Sequence, residues 1–473
     1  MKERAREFSL GQIAKATSGR IEQGAESLML DAVATDSRDV ETGCLFIGLS
    51  GERFDGASFC SDAVKAGAVA VMVNRKAWDE GRCSVPTDCG VVTVGDTLFA
   101  LGELARWYRN RFSAKVVAVT GSNGKTSTKE MVASVLGGEP TVLANRGNFN
   151  NLIGMPRALL RLDSSHRWAV MEMGMNAPGE IARLAQIAGP KIGVVTNVHP
   201  VHLEGLGSIQ AVASAKGELV ESLPADGVAV LNADDPYVLQ QAERSRARVL
   251  TFGQSPAADI RVEDARQDLD GIRFVLAMDK QRFSVHMPRL GIHNALNAAA
   301  AAAVGKIASV AGDLIAQRLE SAPSPSMRME VVKVGATRMI LDCYNANPRS
   351  VQAAVATVSK LPADGTRLAV IGDMLELGSA SEQLHSQVGM TIANSKMDGL
   401  CAFGPRSVHL ANAARAAGMD DVFHTERIEE VIGWTDDRME GCCWMLVKGS
   451  RGMRMERVLD GLKELGRQVP DQR

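Results

Sequence analysis

The sequence predicts an α/β protein of three domains: a central doubly wound, mostly parallel sheet with a P-loop, flanked by a small N-terminal α/β domain and a C-terminal Rossmann-like α/β domain. Three observations predict it. A chain of 473 residues exceeds what one hydrophobic core ordinarily supports. From residue 115 onward, short apolar runs alternate with helical patterns. One of those runs leads straight into a glycine-rich turn that ends in Lys-Thr, where a helical pattern begins.

Residues 1–97 form the first expected domain, because apolar runs at 68–73 and 91–94 are separated by turns rich in Gly and Asp. Over 97–112 the pattern becomes helical, with Leu98, Leu101, Leu104, Ala105 and Tyr108 on one face, and reads as a connecting helix. The second domain, 98–321, is built on expected strands at 115–120, 168–173, 192–197 and 227–231, with a closely packed alanine-rich helix at 295–304. Ser321-Ala322-Pro323-Ser324-Pro325-Ser326 breaks the pattern and predicts a linker. The third domain, 322–473, carries apolar runs at 338–342, 367–371 and 444–447.

Composition narrows the function. Lys plus Arg number 53 against 55 Asp plus Glu, so there is no positive excess to neutralise a phosphate backbone, and nucleic acid is not an expected partner. The charged start, Met1-Lys2-Glu3-Arg4, has no signal-like apolar stretch behind it, and no run approaches the ~20 residues that span a bilayer. A cytoplasmic protein without membrane insertion is expected. Eight cysteines without a C-x-x-C pair read as buried, reduced thiols.

The strongest chemical signal is Gly121-Ser122-Asn123-Gly124-Lys125-Thr126-Ser127 between an expected strand and an expected helix. Glycines let backbone N–H groups close around phosphate oxygens, and a helix N-terminus favours negative charge. Lys125 is placed to reach the β- and γ-phosphates of ATP, and Thr126 to hold Mg²⁺. The usual spacing would put another glycine at residue 119, which is Val. Glu172 falls at the end of an expected strand, where a doubly wound sheet presents residues to its ligand, and a carboxylate there suits magnesium. His202 and Glu204 follow another strand end. Lys216 occupies a gap in the apolar stripe of Ile209, Val212, Leu219 and Leu223, so it faces inward. A buried ammonium must shift its pKa, pair with a carboxylate such as Glu172 or Glu218, or be altered chemically; the alternative is a lysine that buries only its stem.

The shortened T-G-S-N-G-K-T loop resembles that of the Mur ligase and folylpolyglutamate synthetase superfamily. Further runs are similar to Mur ligases: Gly147-Asn148-Phe149-Asn150-Asn151-Leu152-Ile153-Gly154, Glu172-Met173-Gly174-Met175-Asn176, His202-Leu203-Glu204-Gly205 and Ala215-Lys216-Gly217-Glu218. In the third domain, Asp342-Cys343-Tyr344-Asn345-Ala346-Asn347-Pro348 and Gly372-Asp373-Met374-Leu375-Glu376-Leu377-Gly378 resemble the branch of the family that joins D-alanyl-D-alanine to UDP-N-acetylmuramoyl-tripeptide. Most of the superfamily carries a His in the first of these two segments, and this chain has none there.

The resemblance implies ATP-dependent amide-bond formation through an acyl phosphate, with those two small molecules as substrates and a monomeric enzyme. It implies a catalytic set of Lys125, Glu172, His202 and Lys216, and two Mg²⁺ ions held by Thr126, Glu172, His202 and a Lys216 carbamylated by CO₂. It also implies that Asn294 and Asn297 lie on the adenine side, and that Arg328 and Asp342 meet phosphate and ribose. Ser37 and Arg38 would contact the uridine nucleotide, with Asn150 and Asn151 near the muramyl diphosphate. Asn345, Asn347, Lys448, Ser450 and Arg451 would lie on the side of the incoming dipeptide. Blander readings stand beside these: helix capping for Asn294 and Asn297, a surface ion pair for Arg328 and Asp342, and a solvated basic turn at 448–451.

Overall fold

The computed structural model describes residues 8–51, 55–147, 149–201 and 203–469. The chain divides into two compact units: Met1–Ala118, Glu139–Gly174 and Glu180–Lys191 in one, Val119–Gly138, Met175–Gly179 and Ile192–Arg473 in the other.

In the first unit, a five-stranded sheet has the order Arg20–Gln23, Gly90–Val94, Ala70–Asn74, Cys44–Ile47, Ala32–Ala34. All neighbours are parallel except the first pair. Fully buried runs such as Gly90–Val94 are what a sheet covered on both faces demands. Helix Thr97–Arg109 starts at Asp96, whose carboxylate accepts from Leu98 N (2.8 Å) and Phe99 N (3.0 Å). Its predicted inner face is buried except for the half-buried Leu98, and the Tyr108 hydroxyl donates to Leu162 O at 3.0 Å. Further along, Val142–Ala144 and Trp168–Glu172 pair in parallel, which puts Glu172 at a carboxyl end.

The second unit contains the parallel strands Ile192–Val195, Val228–Asn232 and Arg248–Gly253. A meander then follows that the sequence reading did not foresee: Ile260–Asp268, Gly271–Met278 and Gln281–Met287, the last two added antiparallel. Its strands alternate buried residues with exposed or half-buried Arg, Glu and Asp, so they lack the continuous apolar runs of the inner strands. Helix Asn294–Ile307 is buried along nearly its whole length, and its alanines allow close approach to helix Lys125–Val135: a Cβ on Gly305 would sit 2.6 Å from Val135 Cγ1.

No helix or strand lies between Glu320 and Glu330, where the linker was expected. Beyond it a six-stranded sheet runs in the order Glu330–Val334, Thr337–Leu341, Cys442–Lys448, Thr366–Gly372, Gly399–Phe403, Asp421–Thr425. It is parallel except for its first pair and has an apolar core on each face. All eight cysteines are free thiols, seven of them buried, as expected. Among the described residues no helix is long and apolar enough to cross a membrane.

Candidate active site

Strand Lys115–Thr120 ends at the phosphate loop, and helix Lys125–Val135 begins directly after it. Gly124 has φ +78°, and a Cβ there would lie 2.4 Å from Asn297 Oδ1; at Gly121 a Cβ would lie 1.8 Å from Thr196 Oγ1. Both glycines are therefore required by close approach as well as by backbone conformation. The loop is braced from the end of the neighbouring strand. Asn123 N donates to Asn197 Oδ1 (2.8 Å), Asn197 Nδ2 and Thr196 Oγ1 both donate to Asn123 O (3.0 and 2.7 Å), and Ser122 Oγ accepts from His199 N (2.8 Å). Lys125 folds over the loop, its Nζ donating to Gly121 O at 2.9 Å.

The two asparagines named for adenine are buried and lie against this loop. Asn297 Nδ2 donates to Asn294 Oδ1 (3.1 Å) and Asn294 Nδ2 to Leu290 O (2.9 Å). They sit inside helix Asn294–Ile307 and do not cap it through their side chains. His293, one residue before, escaped the sequence reading. It is exposed, and the charges of Asp342 and Lys448 in the third domain lie near enough to act on its ring.

Lys216 is 2% exposed on helix Ile209–Glu221, so the inward-facing reading holds and the stem-only burial does not. Desolvation, and then the positive Lys125, hold its pKa well below the ordinary lysine value. No carboxylate among the described residues offsets them. Glu218, one expected partner, turns its Oε1 to the Gly179 N–H at 2.7 Å.

Residues of the third domain close on the loop within the second unit. Arg328 Nη2 donates to Thr126 Oγ1 (2.9 Å), and its guanidinium stacks 4.1 Å over the Tyr344 ring. Asn347 caps helix Pro348–Lys360 by accepting from Ser350 N (2.9 Å), and its Nδ2 donates to Asn123 Oδ1 (2.7 Å). Asp342 pairs with Lys448 and not with Arg328: Lys448 Nζ lies 2.6 Å from Asp342 Oδ2, and it also donates to Asn345 O at 2.9 Å. Lys448 is 2% and Ser450 3% exposed, so the solvated turn describes only Arg451, which bonds Glu456 at 2.8 Å. Ser450 Oγ accepts from Leu375 N (2.9 Å) and donates to Ala346 O (3.3 Å), joining the two third-domain segments singled out in the sequence.

The first unit holds the remaining candidates. Glu172 Oε1 accepts from Asn150 Nδ2 at 2.7 Å, while Asn145, unnoticed in the sequence, clasps the Glu172 backbone with bonds of 2.8 and 3.1 Å. Asn151 Oδ1 accepts from Gly154 N (2.8 Å) and Ile153 N (3.1 Å), so it shapes the turn into helix Gly154–Leu159. Ser37 and Arg38 lie on the short turn Ser37–Asp39, and Arg38 grips Asp36 (2.9 and 2.6 Å), whose carboxyl is held below the usual carboxylate range. Arg157 reaches Asp39 at 3.2 Å and stacks over Phe149, which brings this turn and the 149–157 segment together. His202, and Asn148 of the 147–154 run, lie outside the described residues.

The donor set constrains any metal. Among the described residues no group of three or more His, Cys, Asp or Glu is arranged so that it could hold a metal ion. Thr126 Oγ1 accepts from a guanidinium, as an oxygen that would face a cation can. An unmodified Lys216 ammonium cannot ligate magnesium; its carbamate, which presents oxygens, can. The residues thus fit Mg²⁺ on condition that Lys216 is modified.

A three-part α/β chain with this phosphate loop is an ATP-dependent amide-bond-forming ligase, and the chain belongs to the Mur ligase family. Three family models match it: "Mur ligase family, catalytic domain" over 30–109, "Mur ligase middle domain" over 119–305 and "Mur ligase, glutamate ligase domain" over 327–451. Among its relatives are the UDP-N-acetylmuramoyl-tripeptide–D-alanyl-D-alanine ligases of Bacillus subtilis (36% identical, covering 93% of this chain and 94% of that one) and Escherichia coli (37%, 97% and 99%). Similar solved structures include MurF from Acinetobacter baumannii (TM-score 0.88, 31% identical, 97% and 99% covered). MurF ligase from Thermotoga maritima in complex with ADP is another (TM-score 0.81, 28%, 92% and 97%).

Proposed function

We propose that this protein joins D-alanyl-D-alanine to UDP-N-acetylmuramoyl-tripeptide, consuming ATP and releasing ADP and phosphate. The observation that carries the reading is the engagement of the 342–348 segment with the phosphate loop, through Asn347 and Asn123, in a chain whose full-length relatives carry that name. The segment thereby links the nucleotide to the domain that would present the amine.

In this reading residues 1–97 bind the UDP-muramyl moiety, 98–321 bind ATP, and 322–473 bind the dipeptide. The tripeptide carboxylate attacks the γ-phosphate, since a carboxylate is a poor electrophile until activated. Lys125 and the loop N–H groups stabilise the charge gathered on the transferred group. The dipeptide amine then attacks the acyl carbon and phosphate leaves. Thr126, Glu172, His202 and carbamylated Lys216 would hold two Mg²⁺ ions, which neutralise phosphate charge when bound. The same reading makes the enzyme a cytoplasmic monomer.

Incubation with ATP, Mg²⁺, D-alanyl-D-alanine and a tripeptide nucleotide ending in either meso-diaminopimelate or lysine is expected to yield the pentapeptide mass with one of them. Full-rate ATP hydrolysis without an acceptor, and no amide product, would overturn the reading.

Two further outcomes follow from the third domain's contacts. Asn347→Ala removes both a helix cap and the bond to Asn123; it is expected to cost about 1 kcal/mol of stability and to lower kcat/KM about tenfold, read by thermal melts and steady-state kinetics. Lys448→Met leaves Asp342 without its buried partner and is expected to destabilise the protein by about 3 kcal/mol in denaturant titration. The double variant Asp342→Asn with Lys448→Met should regain part of that loss.

A further inference from the structure

The run Gly372-Asp373-Met374-Leu375-Glu376-Leu377-Gly378 leaves the carboxyl end of strand Thr366–Gly372 and carries Glu376 with φ +63°. A side chain disfavours that left-handed conformation, which persists only where the surroundings over-determine it. Here they do so almost residue by residue. The Asp373 carboxylate accepts from Ser407 N and Ser407 Oγ, both at 2.7 Å, at the start of helix Ser407–Ala416. Met374 N donates to Nε2 of His385, on helix Ser381–Ala393, at 3.1 Å, and Leu375 N donates to Ser450 Oγ. The side chains of Met374 and Leu377 are buried in one apolar core of the domain.

His385 is buried, and its partners fix its tautomer. Nδ1 lies 2.7 Å from Ser381 O, which can only accept, and Nε2 faces a backbone N–H, which can only donate. The ring is therefore neutral, with its proton on Nδ1. Burial pushes its pKa below the ordinary histidine value; Arg406 and His409 act the same way, against the Ser381 carbonyl and Asp373.

The segment held in this way faces the central domain. Glu376 O accepts from Glu204 N at 3.4 Å, and a Cβ on Gly378, whose φ is +56°, would lie 3.3 Å from Glu204 Cα. Glu204 sits in the short helix Leu203–Leu206 and belongs to the run 202–205 singled out in the sequence.

We propose that the 372–378 segment is the latch by which the third domain closes on the central domain for catalysis, and that His385 is the positioning residue that sets it. The proposal rests on the ligase reading above. His385 acts through the Met374 amide, which keeps Glu376 O and Gly378 turned to Glu204.

Two substitutions at His385 separate positioning from mere packing. His385→Gln can bring an amide oxygen to the place of Nε2. His385→Asn is too short for that, yet it can still donate to Ser381 O, as Asn394 Nδ2 donates to Met390 O (2.9 Å) four residues back in the same helix. His385→Asn is expected to lower kcat for ligation at least about tenfold, to change KM for ATP less than about twofold, and to speed amide hydrogen exchange in 374–378 relative to the rest of the domain. His385→Gln should restore most of both losses. Gly378→Ala, which crowds Glu204 and leaves His385 untouched, should lower kcat about tenfold with an unchanged melting temperature. Parental kcat in His385→Asn or in Gly378→Ala, equal losses in the two His385 variants, or unchanged exchange in 374–378 would each overturn the proposal. Failure of the parental enzyme to form an amide would instead overturn the ligase reading, and the exchange rates would still decide whether His385 sets the segment.

Discussion

Lys125→Ala is expected to lower kcat by at least about 10³-fold while leaving the fold intact. The lysine stands at the first position of helix Lys125–Val135, and its Nζ lies over the loop carbonyls of Gly121 and, at 3.5 Å, Ser122. That posture sets a cation directly over the phosphate loop, which is the place for phosphate oxygens that gain charge during transfer. Alanine is also a good helix former at that position, so little structural loss accompanies the change. Phosphate release in the presence of both substrates measures the effect, and circular dichroism checks the fold. A variant that turns over at the parental rate would mean that the loop does not hold the transferred phosphate.

Lys216→Met should separate activity from stability. Activity is expected to vanish, because the residue would no longer supply carbamate oxygens. Stability is expected to rise, with a melting temperature higher by about 2 °C or more. The sign follows from the lowered pKa of Lys216, set by desolvation and by Lys125. Between that lowered value and the ordinary lysine value, the unfolded chain binds a proton that the folded chain does not. Stability therefore rises with pH across that window, and burial of the lysine is a net penalty at neutral pH. Methionine removes the penalty and fills similar space. On the proposed carbamate, activity should run the same way with pH: the neutral amine adds CO₂, so a fall in pH through the lowered value would protonate Lys216 and remove the carbamate. Bicarbonate is expected to stimulate the parental enzyme and to leave Lys216→Met inactive. A fully active Lys216→Met protein would sink the metal reading, while the stability change would still report the cost of burial.

The contrast between these residues and their neighbours shows what each level of structure contributes. Periodicity placed Lys216 on the inner face of helix Ile209–Glu221 and left open whether the whole side chain or only its stem is buried, which its 2% exposure decided. The phosphate loop was equally legible, since strand, glycines, lysine and helix follow one another within about a dozen residues. The 260–287 meander was not, because half-exposed strands dilute the apolar signal with arginines and acids. Asn145, Asn197 and His293 were not legible either: each acts through a partner far along the chain or through a backbone group, and a lone Asn or His carries no spacing to read.

The order of residues determined by itself the α/β class, the phosphate loop and the place of Lys216 on a helix's inner face, because these depend on neighbours three or four positions away or on alternation along one strand. Only the tertiary structure decided that Asp342 pairs with Lys448, that Arg328 turns to Thr126, and that Asn347 reaches Asn123 across more than two hundred residues. The physical reason is that a charged or amide side chain has many partners of equal chemistry in a sequence. Distance and desolvation, which exist only after folding, select one of them.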